Sequence, residues 1–151
     1  MRDNDGPAVA ELHRASILAT SDTVYSAVER MSWAHSISAG GYAKAAVDGE
    51  VFEVAFDDRD RPVAFCSRKG DNIAAAYVHP NWQGMGIGSA LLGRAERALA
   101  QAGYATARVH AANTAVSFYE FHGYQTVEAV KHRTGGGLLL NTTRLRKPLS
   151  S

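Results

Sequence analysis

The run Gln83-Gly84-Met85-Gly86-Ile87-Gly88-Ser89 places three glycines at alternate positions directly ahead of Ala90, Leu91 and Leu92. The chemistry this pattern serves best is the holding of an anion. Without Cβ atoms the backbone can curl so that several N–H groups point into one concavity, and a helix that starts there adds its positive end. A phosphate group is the natural occupant, although the same glycines would also serve a tight turn or a close contact between helix and strand. Two familiar phosphate loops do not fit. The P-loop requires a Lys-Ser/Thr pair after its last glycine, whereas Gly88 is followed by Ser89-Ala90. The dinucleotide fingerprint requires an acidic residue about 20 positions beyond the glycines, and neither Asp nor Glu occurs between Glu96 and Glu120.

The elements around this loop follow from periodicity and punctuation. Ile73 to Val78 reads as a strand that ends at His79-Pro80, because proline has no N–H to continue pairing. Leu91, Leu92, Ala95 and Leu99 recur at helical spacing up to Gly103, and Ala105 to His110 is short enough to be the next strand. The result is a strand-helix-strand crossover. Upstream, Ala8, Val9, Leu12, Ala15 and Ile17 indicate one helix, and Ser21 or Asp22 would cap a second that carries Val24, Val28 and Met31. Glu50 to Phe56 alternates as a strand, the turn Asp57 to Pro62 leads to a partner from Val63 to about Ser67, and Lys69-Gly70-Asp71 turns into the strand before the loop. A short helix carries Phe118 and Tyr119, two strands flank Thr134-Gly135-Gly136-Gly137, and Arg144-Leu145-Arg146-Lys147 reads as a solvated edge strand.

Val78-x-Pro80, then Gln83-x-x-Gly86-x-Gly88 opening a helix, then Ala115-x-x-Phe118-Tyr119-x-x-x-Gly123-Tyr124, resembles the GNAT superfamily of acyl-CoA-dependent N-acyltransferases, from about Asp5 to Leu149. The resemblance implies an α/β fold: a mixed, strongly twisted sheet with splayed central parallel strands, Ile73 to Val78 and Ala105 to His110, and helices on both faces. The strand that normally precedes the first helix must be shortened or missing, because only Met1 to Asp5 could supply it. Within the superfamily the chain is similar to a bacterial subgroup with a Trp-Ala pair after the second helix and a histidine near the penultimate strand, matched by Trp33-Ala34 and His132.

For the site, the resemblance implies that the N–H groups of Gln83, Gly84, Met85, Gly86, Ile87, Gly88 and Ser89 hold the pyrophosphate of acetyl-CoA. The backbone of Tyr77 and Val78 pairs with its amide-bearing arm, and an N–H near Val78 polarises the thioester carbonyl. Tyr119 occupies the position of the acid that protonates the departing thiolate; a phenol of pKa near 10 keeps its proton at neutral pH. Packing under the glycine helix is the other role open to Tyr119 and the one expected of Phe118. Asn113 is a displaced candidate for a contact with the cofactor arm, since Ala112 fills the slot where the family prefers Asn.

The attacking amine needs help as well. At pKa near 10 about one molecule in a thousand is unprotonated at pH 7, a cost of roughly 4 kcal/mol. The family's positions for a base are Ala74 and Asn72, which cannot take a proton, leaving Asp71, Glu53, His110 or a water held by Asn72 or a backbone carbonyl.

Composition narrows the partners. The 151 residues fit one domain, 1–151, large enough for a real core. A net charge of +1 with both signs mixed along the chain gives no footprint for nucleic acid or an anionic membrane, and no apolar run approaches the roughly 20 residues of a membrane span. Six scattered histidines show no spacing for a metal site. Cys66, between apolar neighbours, reads as a buried thiol and fits a reducing, cytoplasmic location. The expectation is an N-acetyltransferase using acetyl-CoA without a metal and acting on a small-molecule amine. Trp33, His35, Tyr42, Phe52 and Phe65 are either its acceptor pocket or core. A homodimer is compatible with this reading, and the alternative is a CoA-binding sensor without turnover.

Overall fold

The computed structural model describes residues 1–20 and 23–150. The chain opens on a 3-10 turn, Asp3–Asp5, and passes directly into helix α1 (Gly6–Leu18), so no strand precedes the first helix among the described residues. Val9, Leu12, Ser16 and Ile17 form the buried stripe of α1. Helix α2 (Ala27–Ala34) is capped by Ser26: its hydroxyl accepts from the Glu29 N–H at 3.1 Å, and the Glu29 carboxylate accepts from the Ser26 N–H at 2.9 Å. The expected caps Ser21 and Asp22 lie outside the described residues. Trp33 and Ala34 close α2 rather than follow it. A third helix, α3 (Gly41–Val47), has too short an apolar pattern to be read from sequence, and buries Tyr42.

Six strands form one sheet: β1 (Val51–Phe56), β2 (Pro62–Lys69), β3 (Asn72–Val78), β4 (Thr106–Ala112), β5 (Gln125–Arg133) and β6 (Leu139–Pro148), in the order β1-β2-β3-β4-β6-β5. Helix α4 (Ile87–Gln101) makes the crossover from β3 to β4, the one parallel pair among the described residues, and α5 (Val116–Phe121) follows β4. Arg144 to Lys147 is not an edge strand. It lies in β6, which returns through the Thr134–Gly137 hairpin and inserts between β4 and β5. Leu145 is buried there while Arg144 and Arg146 alternate to the exposed side.

Side chains from the two faces of the sheet enter separate cores. Leu91, Leu92, Ala95 and Leu99 of α4 pack on Ala64, Cys66, Ile73 and Val109. On the other face Val9, Leu12, Tyr42 and Phe65 cluster, with Phe52, Ala75 and Tyr77 against them. Burial of each large apolar side chain contributes about 1.5–3 kcal/mol, so both faces anchor their helices firmly. Cys66 is buried, as its neighbours suggested, and burial pushes its thiol up to about 12.

Candidate active site

The cleft begins where β3 leaves β4. The two strands pair only at Asn72↔Arg108 and Ile73↔Val109. Against β2, the register runs from Ser67↔Ala75 to Arg68↔Ile73, so Ala74 falls out of step as a bulge. A bulge bends its strand and switches which side each following residue faces. Here it turns the rest of β3 away from β4 and opens a V between them, with Ala74 exposed on its wall.

The bulge also determines which peptide groups look into the gap. The His79 N–H donates to the Val63 carbonyl at 2.8 Å, and in an antiparallel ladder such pairs alternate, so Tyr77 and Phe65 bond each other whereas Val78 faces away from β2. The Val78 carbonyl accordingly accepts from Gln83 Nε2, at 3.1 Å. Of the expected backbone pair, Val78 therefore turns its N–H and carbonyl toward the gap, while the peptide groups of Tyr77 pair with β2. The Tyr77 ring still lines the cleft, stacked 4.2 Å from His13 and 5.7 Å from Phe65.

Beyond β3, Gly84 and Gly86 both hold φ near +80°, a conformation that disfavours side chains, and Gly86 is the N-cap of α4. The N–H groups of Ile87, Gly88 and Ser89 in the first turn have no intrahelical acceptor and are available to an anion. Gly88 serves a second purpose: a Cβ there would meet Val78 Cγ2 at 3.4 Å and the Phe118 ring at 3.6 Å, so α4 approaches β3 and α5 through it. Gln83, Gly84, Gly86, Ile87, Gly88 and Ser89 all line the cleft; Met85 does not, and is 64% exposed. The Ser89 hydroxyl lies 2.8 Å from His122 Nε2, which ties the loop to the end of α5.

Tyr119, on α5, is 4% exposed and lines the cleft opposite β3. Its ring packs edge-on against Phe118 at 5.2 Å and Tyr124 at 5.4 Å. Tyr124 in turn donates to Glu96 at 2.8 Å, a carboxylate that also takes Lys147 at 3.1 Å. Burial pushes the Tyr119 phenol well above its ordinary value, so it is neutral at physiological pH. Asn113 also lines the cleft: its Oδ1 accepts from Thr143 at 2.8 Å and its N–H donates to the Tyr25 hydroxyl at 2.8 Å. Tyr25 completes a bridge by donating to the Asn141 carbonyl.

The candidate bases separate clearly. Glu53 holds Arg68 at 3.2 Å and Arg94 across its other oxygen, away from the main cleft, and those bonds outweigh burial and keep its pKa low. Asp71 pairs with Arg108 at 3.1 Å. His110 alone of the three lines the cleft. Of the expected acceptor residues, Trp33 and Phe65 line it too, Tyr42 and Phe52 pack in the aromatic core, and His35 is exposed at the end of α2.

Ser16, Ala19, Thr20, Val24 and Trp82 line the cleft as well. Val24, expected on the second helix, lies ahead of α2 instead, and the other four residues, Tyr25 and the bulge escaped the sequence reading because they carry no local signature. The β5–β6 hairpin packs against the α2 region, where the Thr134 and Ser32 hydroxyls meet and a Cβ on Gly135 or Gly136 would lie 2.2–2.3 Å from Ser36 or Ser32. The whole cleft has a volume of about 710 Å³, ample for an extended thioester arm beside an acceptor. Among the described residues no group of three or more His, Cys, Asp or Glu is placed to hold a metal.

A family model for the acetyltransferase (GNAT) domain matches residues 20–139, and the chain belongs to that family. Its sequence is 38% identical over 73 residues to the peptidyl-lysine N-acetyltransferase YjaB of Salmonella typhimurium, an alignment covering 48% of each chain. The chain thus spans about half the length of the curated relatives it matches. A GCN5-related N-acetyltransferase from Rhodopseudomonas palustris superposes with a TM-score of 0.89 at 26% identity, over 99% of this chain and 92% of that one. PaiA N-acetyltransferase from Thermoplasma acidophilum, solved with coenzyme A, superposes with a TM-score of 0.76 at 20% identity, over 98% and 95%, a likeness of fold.

Proposed function

We propose that the chain is one acyltransferase domain, 1–151, that moves an acetyl group from acetyl-CoA to the primary amine of a small molecule by direct attack in a ternary complex. The observation that carries this reading is the cleft: one continuous opening brings the glycine loop, Val78 and the Tyr119 phenol to a single space. The pyrophosphate rests on the first-turn N–H groups of α4, and the amide arm extends along β3 as an added strand on the Val78 side. The Val78 N–H stabilises the oxygen of the tetrahedral intermediate. Tyr119 donates to the sulfur as the C–S bond breaks.

The acceptor end supports a small, partly apolar amine. Its described wall combines Trp33, Val24, Ala19 and Tyr77 with neutral Ser16 and Thr20, and no Asp, Glu, Lys or Arg is among the described lining residues. A peptidyl lysine is the second reading, favoured by the name of the partial relative.

The deciding experiment follows release of free thiol from acetyl-CoA with 2-phenylethylamine, spermidine, kanamycin and a lysine-containing peptide. Fastest turnover is expected with 2-phenylethylamine. Turnover with the peptide alone would replace the acceptor, and binding of CoA without turnover of any amine would make the protein a sensor.

A further inference from the structure

His110 is the first residue of β4 beyond its last pairing with β3, so it stands at the vertex of the V and lines the cleft. Its Nε2 lies 2.6 Å from Thr142 Oγ1, and that hydroxyl lies 3.3 Å from the Val130 carbonyl. A carbonyl only accepts and a hydroxyl has one proton. With Thr142 donating to Val130, the neutral imidazole donates from Nε2 to Thr142. The lone pair is left on Nδ1, which has no hydrogen-bond partner among the described residues. We propose that His110 Nδ1 takes the proton that the acceptor nitrogen loses as it attacks the thioester, with Thr142 as the positioning residue that fixes the tautomer. This rests on the acetyl-transfer reading above.

The surroundings keep the imidazole ready to accept. His110 is exposed on β4, and its partial desolvation first, then His132 of β5, whose ring is 5.7 Å away, and Arg144, its neighbour on β6, hold its pKa below the usual histidine value. The other titratable groups among the described lining residues, Tyr77 and Tyr119, have phenols raised by burial and are neutral. Such an imidazole is poorly matched to a free ammonium of pKa near 10, but well matched to the far more acidic N–H of the tetrahedral adduct. The step balances: the amine nitrogen bonds the carbonyl carbon, its proton passes to Nδ1, and the C–S pair leaves on sulfur. Sulfur takes the Tyr119 proton, His110 releases its own to solvent, and Tyr119 recovers one from solvent.

Kinetics with acetyl-CoA and 2-phenylethylamine test the role. In the wild type, log kcat/KM rises with unit slope through the ammonium's ionisation and steepens to a slope of two below the pKa of His110. His110→Gln, which can still donate to Thr142, is expected to lower kcat roughly 100-fold, leave KM for acetyl-CoA unchanged, and abolish the steepening. Thr142→Val should lower kcat less and shift the steep limb. Nitrogen NMR of wild-type protein reads the tautomer without any acceptor: the Nε2–H form and a midpoint below 6.5 are expected. An Nδ1–H tautomer, or a folded His110→Gln protein with wild-type rate and profile, overturns the proposal. Failure of wild-type protein to bind acetyl-CoA would instead remove the acetyl-transfer reading beneath it.

Discussion

Tyr119 combines two properties that a donor to a leaving thiolate requires: it keeps its proton at neutral pH, and it is held in place. The first comes from burial and the second from Phe118 and the Glu96-anchored Tyr124. Tyr119→Phe is expected to reduce kcat by one to three orders of magnitude with little change in KM for acetyl-CoA, as for an interaction made in the transition state. Full activity would remove the residue from the mechanism. His13 carries a different consequence. Burial beneath Tyr77 and Phe65, aided by Arg14, lowers its pKa from 6.5 to about 3. The unfolded chain therefore binds one more proton than the folded chain between those values, so this contribution to stability is complete above pH 6.5 and is lost as pH falls toward 3. His13→Gln should start less stable, through loss of the 3.0 Å contact with the Tyr42 hydroxyl, yet lose less Tm than the wild type between neutral and mildly acid pH. Parallel Tm curves for the two proteins would contradict this.

Elements set what the sequence disclosed. β1, β2, α4 and the glycine loop were legible because alternation, helical spacing and turn residues are local signals. Three features were not local. The Ala74 bulge exists only in the register of β3 on β2; β6 enters the sheet by pairing on both edges; and Tyr25 acts through Asn113 and Asn141, far along the chain. The glycines of the loop divide accordingly. Gly86 needs its positive φ, so Gly86→Val is expected to cost about 1–2 kcal/mol of stability and to weaken CoA binding in the folded fraction. Gly88 touches Val78 and Phe118, so a bulky residue there should damage folding as well as binding, beyond mere crowding of the pyrophosphate. A folded Gly86→Val protein with wild-type CoA affinity would show that the loop holds no phosphate.

At the scale of the molecule, two cores fasten helices to opposite faces of a sheet whose middle is left open, and the opening is lined by the glycine loop and Tyr119. Large core side chains hold that shape: Leu92→Ala, at a fully buried position of α4, is expected to cost about 2–5 kcal/mol, read as a fall in denaturation midpoint. The central claim is that this gap is an acyl-CoA site rather than a dinucleotide site, since the loop lacks both the lysine and the ribose-binding acid of the rival motifs. Titration calorimetry of the purified protein with acetyl-CoA and, separately, with NAD tests it most directly. One acetyl-CoA bound per chain and no heat from NAD is the predicted result; NAD bound with acetyl-CoA ignored would contradict the account.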